Sequence, residues 1–116
     1  MKLQYLGTGG AEGFPGMFCA CRACRRAREQ KQYKARSCSL INDSVLIDLS
    51  PDLYVQSLRF DADLTAVRAL VVTHSHRDHL DLFGVCLRAR DGASLRPDLS
   101  EAENRLPVFG GEKVLA

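Results

Sequence analysis

All three histidines of this 116-residue chain fall within six positions, His74-Ser75-His76-Arg77-Asp78-His79, with an aspartate just before the last. Packing does not account for the cluster, because three imidazoles would have to lose their water together. Imidazole nitrogen and carboxylate oxygen are ligands for zinc and similar divalent cations. The cluster follows directly on Ala69-Leu70-Val71-Val72-Thr73, an apolar run with the composition of a strand buried on both faces. A tight loop at a strand end lets alternate side chains converge. His74 and His76 can then take one ion while Asp78 and His79 turn toward a second.

A second group with metal chemistry lies upstream. Cys19-Ala20-Cys21-Arg22-Ala23-Cys24 holds three of the five cysteines. Thiolates at this spacing can wrap one zinc ion, and tetrahedral closure needs a fourth ligand, either Cys38 or a residue outside the chain. A redox pair or unligated buried thiols are the other readings, although the Gly-Pro loop before the cluster is unlike the strand–helix setting of a redox motif. Cys86 reads as a small core hydrophobe in a helix.

The elements that must position these groups alternate between strand and helix. Lys2–Leu6 reads as a strand closed by the turn Gly7-Thr8-Gly9-Gly10. A loop over 11–18 and a helix over 23–34 with a weak apolar face follow. Cys38–Ile41 and Ser44–Asp48 form two strands joined at Asn42-Asp43. Pro51 opens a helix that runs to about Arg59. After the strand at 69–73 come a helix over 80–90, a short strand at 107–109 and the beginning of a helix from Gly111. The expected class is α/β.

Composition narrows the remaining possibilities. Hydrophobic residues make up 46% and charged residues 26%, which excludes a disordered chain. No apolar run is long enough to span a bilayer, and the N-terminus lacks the apolar core of a signal peptide, so a cytoplasmic location without a membrane partner is expected. The net charge of +2 does not by itself imply a polyanionic partner. It is uneven, however: residues 22–36 carry seven cations against Glu29 alone, and the remainder of the chain is net acidic. This window is either a solvated helix surface or a basic collar that attracts phosphate. Nucleic acid is the less favoured partner, because no aromatic residue interleaves with these arginines.

The pattern His-x-His-x-Asp-His after a short apolar strand resembles the signature of the metallo-β-lactamase superfamily. Leu46-Ile47-Asp48-Leu49-Ser50-Pro51-Asp52-Leu53, Leu6-Gly7-Thr8-Gly9-Gly10 and Pro107-Val108-Phe109-Gly110 resemble that family too, in the family's order. The chain departs from it after His79, where Leu80-Asp81-Leu82-Phe83 precedes Gly84. Gly13-Phe14-Pro15 followed by the three cysteines resembles the phosphoribosyl cyclic phosphodiesterase and pyrroloquinoline-quinone biosynthesis B groups.

This resemblance implies a partial domain over 1–116, the N-terminal half of an αββα sandwich, with a zinc-knuckle loop within 11–38 and a metal motif at 74–79. It implies active-site ligands His74, His76, Asp78 and His79, and a structural zinc on Cys19, Cys21 and Cys24 whose fourth ligand is a distant histidine, with Cys38 a strand residue. Asp78 and Asp48 are the implied catalytic residues, Asp78 orienting the hydroxide by hydrogen bonding and Asp48 fixing a ligand or loop. The expected activity is hydrolysis of a small or cyclic phosphate ester by a hydroxide generated between two Zn2+ ions, with Mn2+ or Fe2+ as alternatives. No histidine follows His79, so the chain is expected to be a truncated fragment, inactive alone, unless two copies pair as a homodimer. The alternatives are a non-catalytic zinc-binding remnant, and a cofactor-biosynthesis or nucleic-acid-processing relative.

Overall fold

The computed structural model describes residues 1–88 and 93–115. Five strands form one sheet in sequence order: β1 Leu3–Gly7, β2 Cys38–Ile41, β3 Val45–Ile47, β4 Ala69–Val72 and β5 Val108–Gly110. β1, β2 and β3 pair antiparallel, whereas β3, β4 and β5 run parallel. β1, β3, β4 and β5 therefore end at the same edge of the sheet. In open α/β sheets the carboxyl ends of the strands are where ligands bind. Here that edge receives the Cys loop, Asp48 and the His motif.

Local sequence explains the connections. The β2–β3 hairpin turns at Asn42 and Asp43, both left-handed at φ +48° and +57°, as primed hairpin turns require. The parallel strands are joined through helices: α2 Leu53–Arg59 carries the chain from β3 to β4, and α3 Leu82–Leu87 and α4 Glu101–Asn104 carry it on to β5. A 3₁₀ turn at Leu64–Ala66 follows α2, opened by Asp63, whose carboxylate accepts from the Thr65 N–H at 2.9 Å. α4 opens on a capping box made by Ser100 and Glu103. A last helix, α5, spans Glu112–Leu115. No helix among the described residues is long and apolar enough to cross a membrane.

Two expected helices are shorter than their composition suggests. α1 covers Arg22–Glu29 rather than 23–34. Lys31 turns left-handed at φ +53°, and the backbone of Lys34 is claimed instead by Phe14, in hydrogen bonds of 2.7 and 3.0 Å. α3 begins at Leu82 because Leu80 bridges to Leu49 beside the end of β3. The last two positions expected for this helix, 89 and 90, lie outside the described residues.

The core lies on one face of the sheet. Leu6, Cys38, Leu40, Leu46, Leu70 and Val72 are buried there with Leu49 and Val67, and Leu53, Leu64, Val85 and Leu106 pack onto them. The opposite face carries the registered row Tyr5–Ser39–Ile47–Val71–Phe109. Tyr5 and Phe109 are more than half exposed, and Ile47 and Val71 are only half-buried. The expectation that the strand at 69–73 is covered on both sides thus holds for one face among the described residues. Its second face is apolar and open.

Candidate metal centre

Asp48 is the anchor of the site. It directly follows β3 in the left-handed conformation, at φ +60°, which aspartate tolerates better than most residues. Its N–H donates to the Val71 carbonyl at 2.8 Å, which ties it to the adjacent strand β4. The carboxylate is buried and accepts from three donors. These are the Thr73 N–H at 2.7 Å, the Thr73 hydroxyl at 2.9–3.0 Å and His79 Nδ1 at 2.6 Å. Among the described residues, Asp48 is therefore linked to the exposed end of the sheet through Thr73 and His79. The sequence reading expects Asp48 to fix a ligand or loop; in the fold its carboxylate is hydrogen-bonded to Thr73 and His79.

The histidine loop is wound by its own backbone. The N–H groups of His79 and Leu80 both donate to the His76 carbonyl, at 2.9 and 3.0 Å. Leu49 N–H then donates to the His79 carbonyl at 2.8 Å, and Asp81 N–H to the Leu49 carbonyl at 2.9 Å. Gly84 lets α3 close on the same strand end, since an added Cβ would come within 2.6 Å of Leu49 Cδ2. The four expected ligands are brought together. Donor atoms of His74, His76 and Asp78 lie within 4.8 Å of one another. The rings of His74 and His79 are 3.8 Å apart, and His79 Nε2 lies 3.1 Å from Asp78 Oδ2. Asp78 thus stands at the junction between the histidine pair and His79.

The protonation pattern tests whether this set fits a cation. A carboxylate only accepts, so His79 Nδ1 must carry the proton that it gives to Asp48. In neutral His79 that leaves a bare lone pair on Nε2, aimed at the Asp78 carboxylate. Two acceptors facing each other at 3.1 Å need a positive charge between them. Zinc–nitrogen bonds of about 2.0–2.1 Å put neighbouring donors roughly 3.3 Å apart, so the set fits a divalent cation with little movement.

The cysteine loop is held at the same edge of the sheet. Gly7 permits this contact, because a Cβ there would collide with the Arg36 carbonyl and the Gln56 amide. Gly9 N–H donates to the Ala35 carbonyl at 2.7 Å and Ser37 N–H to the Gly9 carbonyl at 3.1 Å. Arg36 pins the returning chain, with hydrogen bonds to Ala11 O at 2.7 Å and Asp52 Oδ1 at 2.6 Å. Arg28 of α1 reaches back to the carbonyls of Gly16 and Cys19.

Within that loop the sulfurs of Cys19, Cys21 and Cys24 lie within 4.8 Å of one another. The edge of a zinc–thiolate tetrahedron is about 3.8 Å, so the donor set suits zinc. Cys21 caps α1, and the Cys24 N–H, with the Cys19 thiol next, lowers its pKa to about 7. At Cys24 the Gly16 N–H pulls the pKa down, but burial and the two adjacent thiols outweigh it and raise the value. A cation among the three sulfurs would offset the repulsion between thiolates held this close. Cys38 is elsewhere, buried in the core, with its thiol on the Asp48 carbonyl at 3.2 Å. Burial pushes its pKa up to about 12. Of the two fourth ligands considered, Cys38 is therefore ruled out by position. Cys86, expected as a core residue, is exposed among the described residues.

Sequence reasoning missed Thr73. Its hydroxyl touches Asp48 and lies 3.2 Å from His74 Nδ1 and 3.3 Å from His79 Nδ1. A threonine that ends an apolar strand just before a ligand motif was the available signal.

No family model matches the chain. Among curated proteins it is 34% identical over 93 residues to an octanoyltransferase of Porphyromonas gingivalis, covering 74% of this chain and 18% of that protein. It is 32% identical over 93 residues to coenzyme PQQ synthesis protein B of Pseudomonas paraeruginosa, covering 68% of this chain and 31% of that protein. The fold is similar to that of a diphosphatase from the PhnP family, with a TM-score of 0.68 and 26% identity over 97% of this chain and 42% of the other. It is also similar to zinc-bound PqqB from Methylobacterium extorquens, at a TM-score of 0.68 and 17% identity over 95% of this chain and 49% of the other. A third neighbour is the metallo-β-lactamase-fold protein YhfI from Bacillus subtilis, at a TM-score of 0.53 and 17% identity over 93% of this chain and 35% of the other. The chain therefore spans less than a third of the length of these curated relatives and less than half that of these solved neighbours.

Proposed function

Because this chain carries part of the metallo-β-lactamase fold, we propose that it supplies one side of the active site of a metal-dependent hydrolase acting on a small or cyclic phosphate ester. The observation that carries the proposal is the His74, His76, Asp78 and His79 cluster, built on Asp48 at the carboxyl edge of the sheet. Divalent cations bound there supply Lewis acidity and a nucleophile from water at neutral pH. His74 and His76 hold one ion, and Asp78 with His79 a second. Asp48 keeps the His79 proton on Nδ1, so that Nε2 stays free to ligate.

The phosphate reading rests on charge. Arg22, Arg25, Arg26, Lys31 and Lys34, in the segment between β1 and β2, are exposed, and none is in an ion pair among the described residues. Such a collar draws anionic esters toward the site. A PhnP-family diphosphatase among the structural neighbours favours the same substrate chemistry.

Four ligands shared by two ions leave two protein ligands each, whereas catalytic zinc usually has three. The open row of Tyr5, Ile47, Val71 and Phe109 would likewise be covered in a two-sheet sandwich. The proposal thus places the remaining ligands and the covering sheet on polypeptide outside these 116 residues. To test it, the full-length protein is stripped of metal, reloaded with Zn2+ or Mn2+, and assayed with bis(p-nitrophenyl) phosphate and a 2′,3′-cyclic nucleotide. Metal-dependent turnover that disappears in His76→Ala supports the reading. Metal-independent turnover, or none with any phosphate ester, overturns it.

A further inference from the structure

We propose that the Thr73 hydroxyl is a positioning group that fixes the tautomer of His74, so that one buried carboxylate, Asp48, orients a histidine at each of the two metal positions. The inference rests on the metal-centre reading above and extends it to a residue outside the ligand motif.

The argument is a count of protons. The Thr73 oxygen lies 2.9 and 3.0 Å from the two Asp48 oxygens. Carboxylate oxygens cannot donate, so the single hydroxyl proton of Thr73 points at Asp48. The oxygen then has only lone pairs left for its other neighbours. His74 Nδ1, at 3.2 Å, can form a hydrogen bond to it only by donating. His74 therefore carries its proton on Nδ1 and offers Nε2 as the ligand atom. His79 reaches the same state directly, through its 2.6 Å bond to Asp48. One carboxylate thus sets two imidazoles, the nearer by contact and the farther through a hydroxyl.

The geometry explains why the relay needs this residue. The Thr73 N–H also donates to Asp48, at 2.7 Å, so backbone and hydroxyl hold the carboxylate together. Serine would keep both donors. Valine would keep the backbone donor and the strand-forming shape, and would lose only the relay. Metal-bound histidines generally donate their second nitrogen to an oriented acceptor, and loss of that acceptor costs about 10–100-fold in affinity.

The test uses the full-length protein, metal-free, at pH 8, where an ordinary imidazole is neutral. Long-range 1H–15N correlation spectra report the tautomer of each histidine in the native protein, Thr73→Val and Thr73→Ser, and Zn2+ affinity is measured by chelator competition. The native protein is expected to show His74 protonated on Nδ1. Thr73→Val should redistribute His74 between tautomers, leave His79 on Nδ1 and weaken zinc binding about tenfold. Thr73→Ser should restore both to within about twofold of native. A native His74 protonated on Nε2 overturns the proposal whether or not the variants fold. So does a Thr73→Val protein with an unchanged His74 tautomer and unchanged zinc affinity. If the tautomers behave as expected but no phosphate ester is hydrolysed, the relay stands and the hydrolase reading falls.

Discussion

Asp48→Asn removes the charge at the root of the site while keeping its shape. Asparagine also tolerates the left-handed backbone at this position, so backbone strain does not explain any loss. The carboxylate accepts from three donors, the Thr73 N–H, the Thr73 hydroxyl and His79 Nδ1. An amide has one oxygen, and its nitrogen donates, so at least one of the three donors ends up facing an N–H group. Hydrogen bonds to a charged group are worth about 1.5–3 kcal/mol each, so the loss of one should cost about 2–3 kcal/mol of metal-free stability. Zinc affinity at the histidines should fall about 10–100-fold, because His79 is no longer held with Nε2 free. Urea denaturation of the metal-free protein and chelator competition for zinc measure the two quantities. Thr73→Val should weaken zinc less than Asp48→Asn, since it leaves the His79 bond intact. An Asp48→Asn protein that binds zinc with native affinity would refute the claim that this carboxylate orients the ligands.

In the metal-free protein, alkylation of Cys21 by iodoacetamide should rise as pH passes about 7, where its thiolate forms, and fade as pH drops below that value. Cys38, with its pKa near 12, should stay unmodified across the same range, as peptide mapping would show. The Cys38 shift also has a thermodynamic consequence: the folded state keeps a proton that the unfolded chain loses from about pH 9, so this contribution is present below pH 9 and lost between about 9 and 12. Gly7→Ala should destabilise the fold by roughly 1–3 kcal/mol in a denaturation experiment, because its Cβ has no room beside the Arg36 carbonyl. The isolated 116-residue chain should self-associate through its open sheet face, and Ile47→Lys should shift it toward monomer in analytical ultracentrifugation; a native chain that is monomeric at high concentration contradicts that expectation.

The histidine and cysteine clusters were legible as groups because their spacing is local. Histidines two and three positions apart, and cysteines two and three positions apart, have little structural use except together. The β2–β3 hairpin was legible for a similar reason, since Asn42-Asp43 is a turn pair that accepts positive φ. The Ser100–Glu103 capping box and the Asp63–Thr65 turn also carry local signals, Ser-x-x-Glu and Asp-x-Thr, which a closer reading finds. What sequence could not give are the contacts made across distance. Lys34 leaves the helix because Phe14 takes its backbone, and Asp48 meets Thr73 across 25 positions only because β3 and β4 lie side by side in parallel. The relay through Thr73 follows from that adjacency, so the motif alone did not show it.

The central claim is that the histidine cluster grips divalent cations while the cysteines hold a separate zinc. Anomalous diffraction at the zinc edge from crystals of the full-length protein tests it most directly. The account predicts density about 2.0–2.2 Å from His74 Nε2, His79 Nε2 and a ring nitrogen of His76, and a further peak about 2.3 Å from the sulfurs of Cys19, Cys21 and Cys24. Density at the cysteines with the histidine donors bare, or none at either group after zinc is supplied, would contradict it.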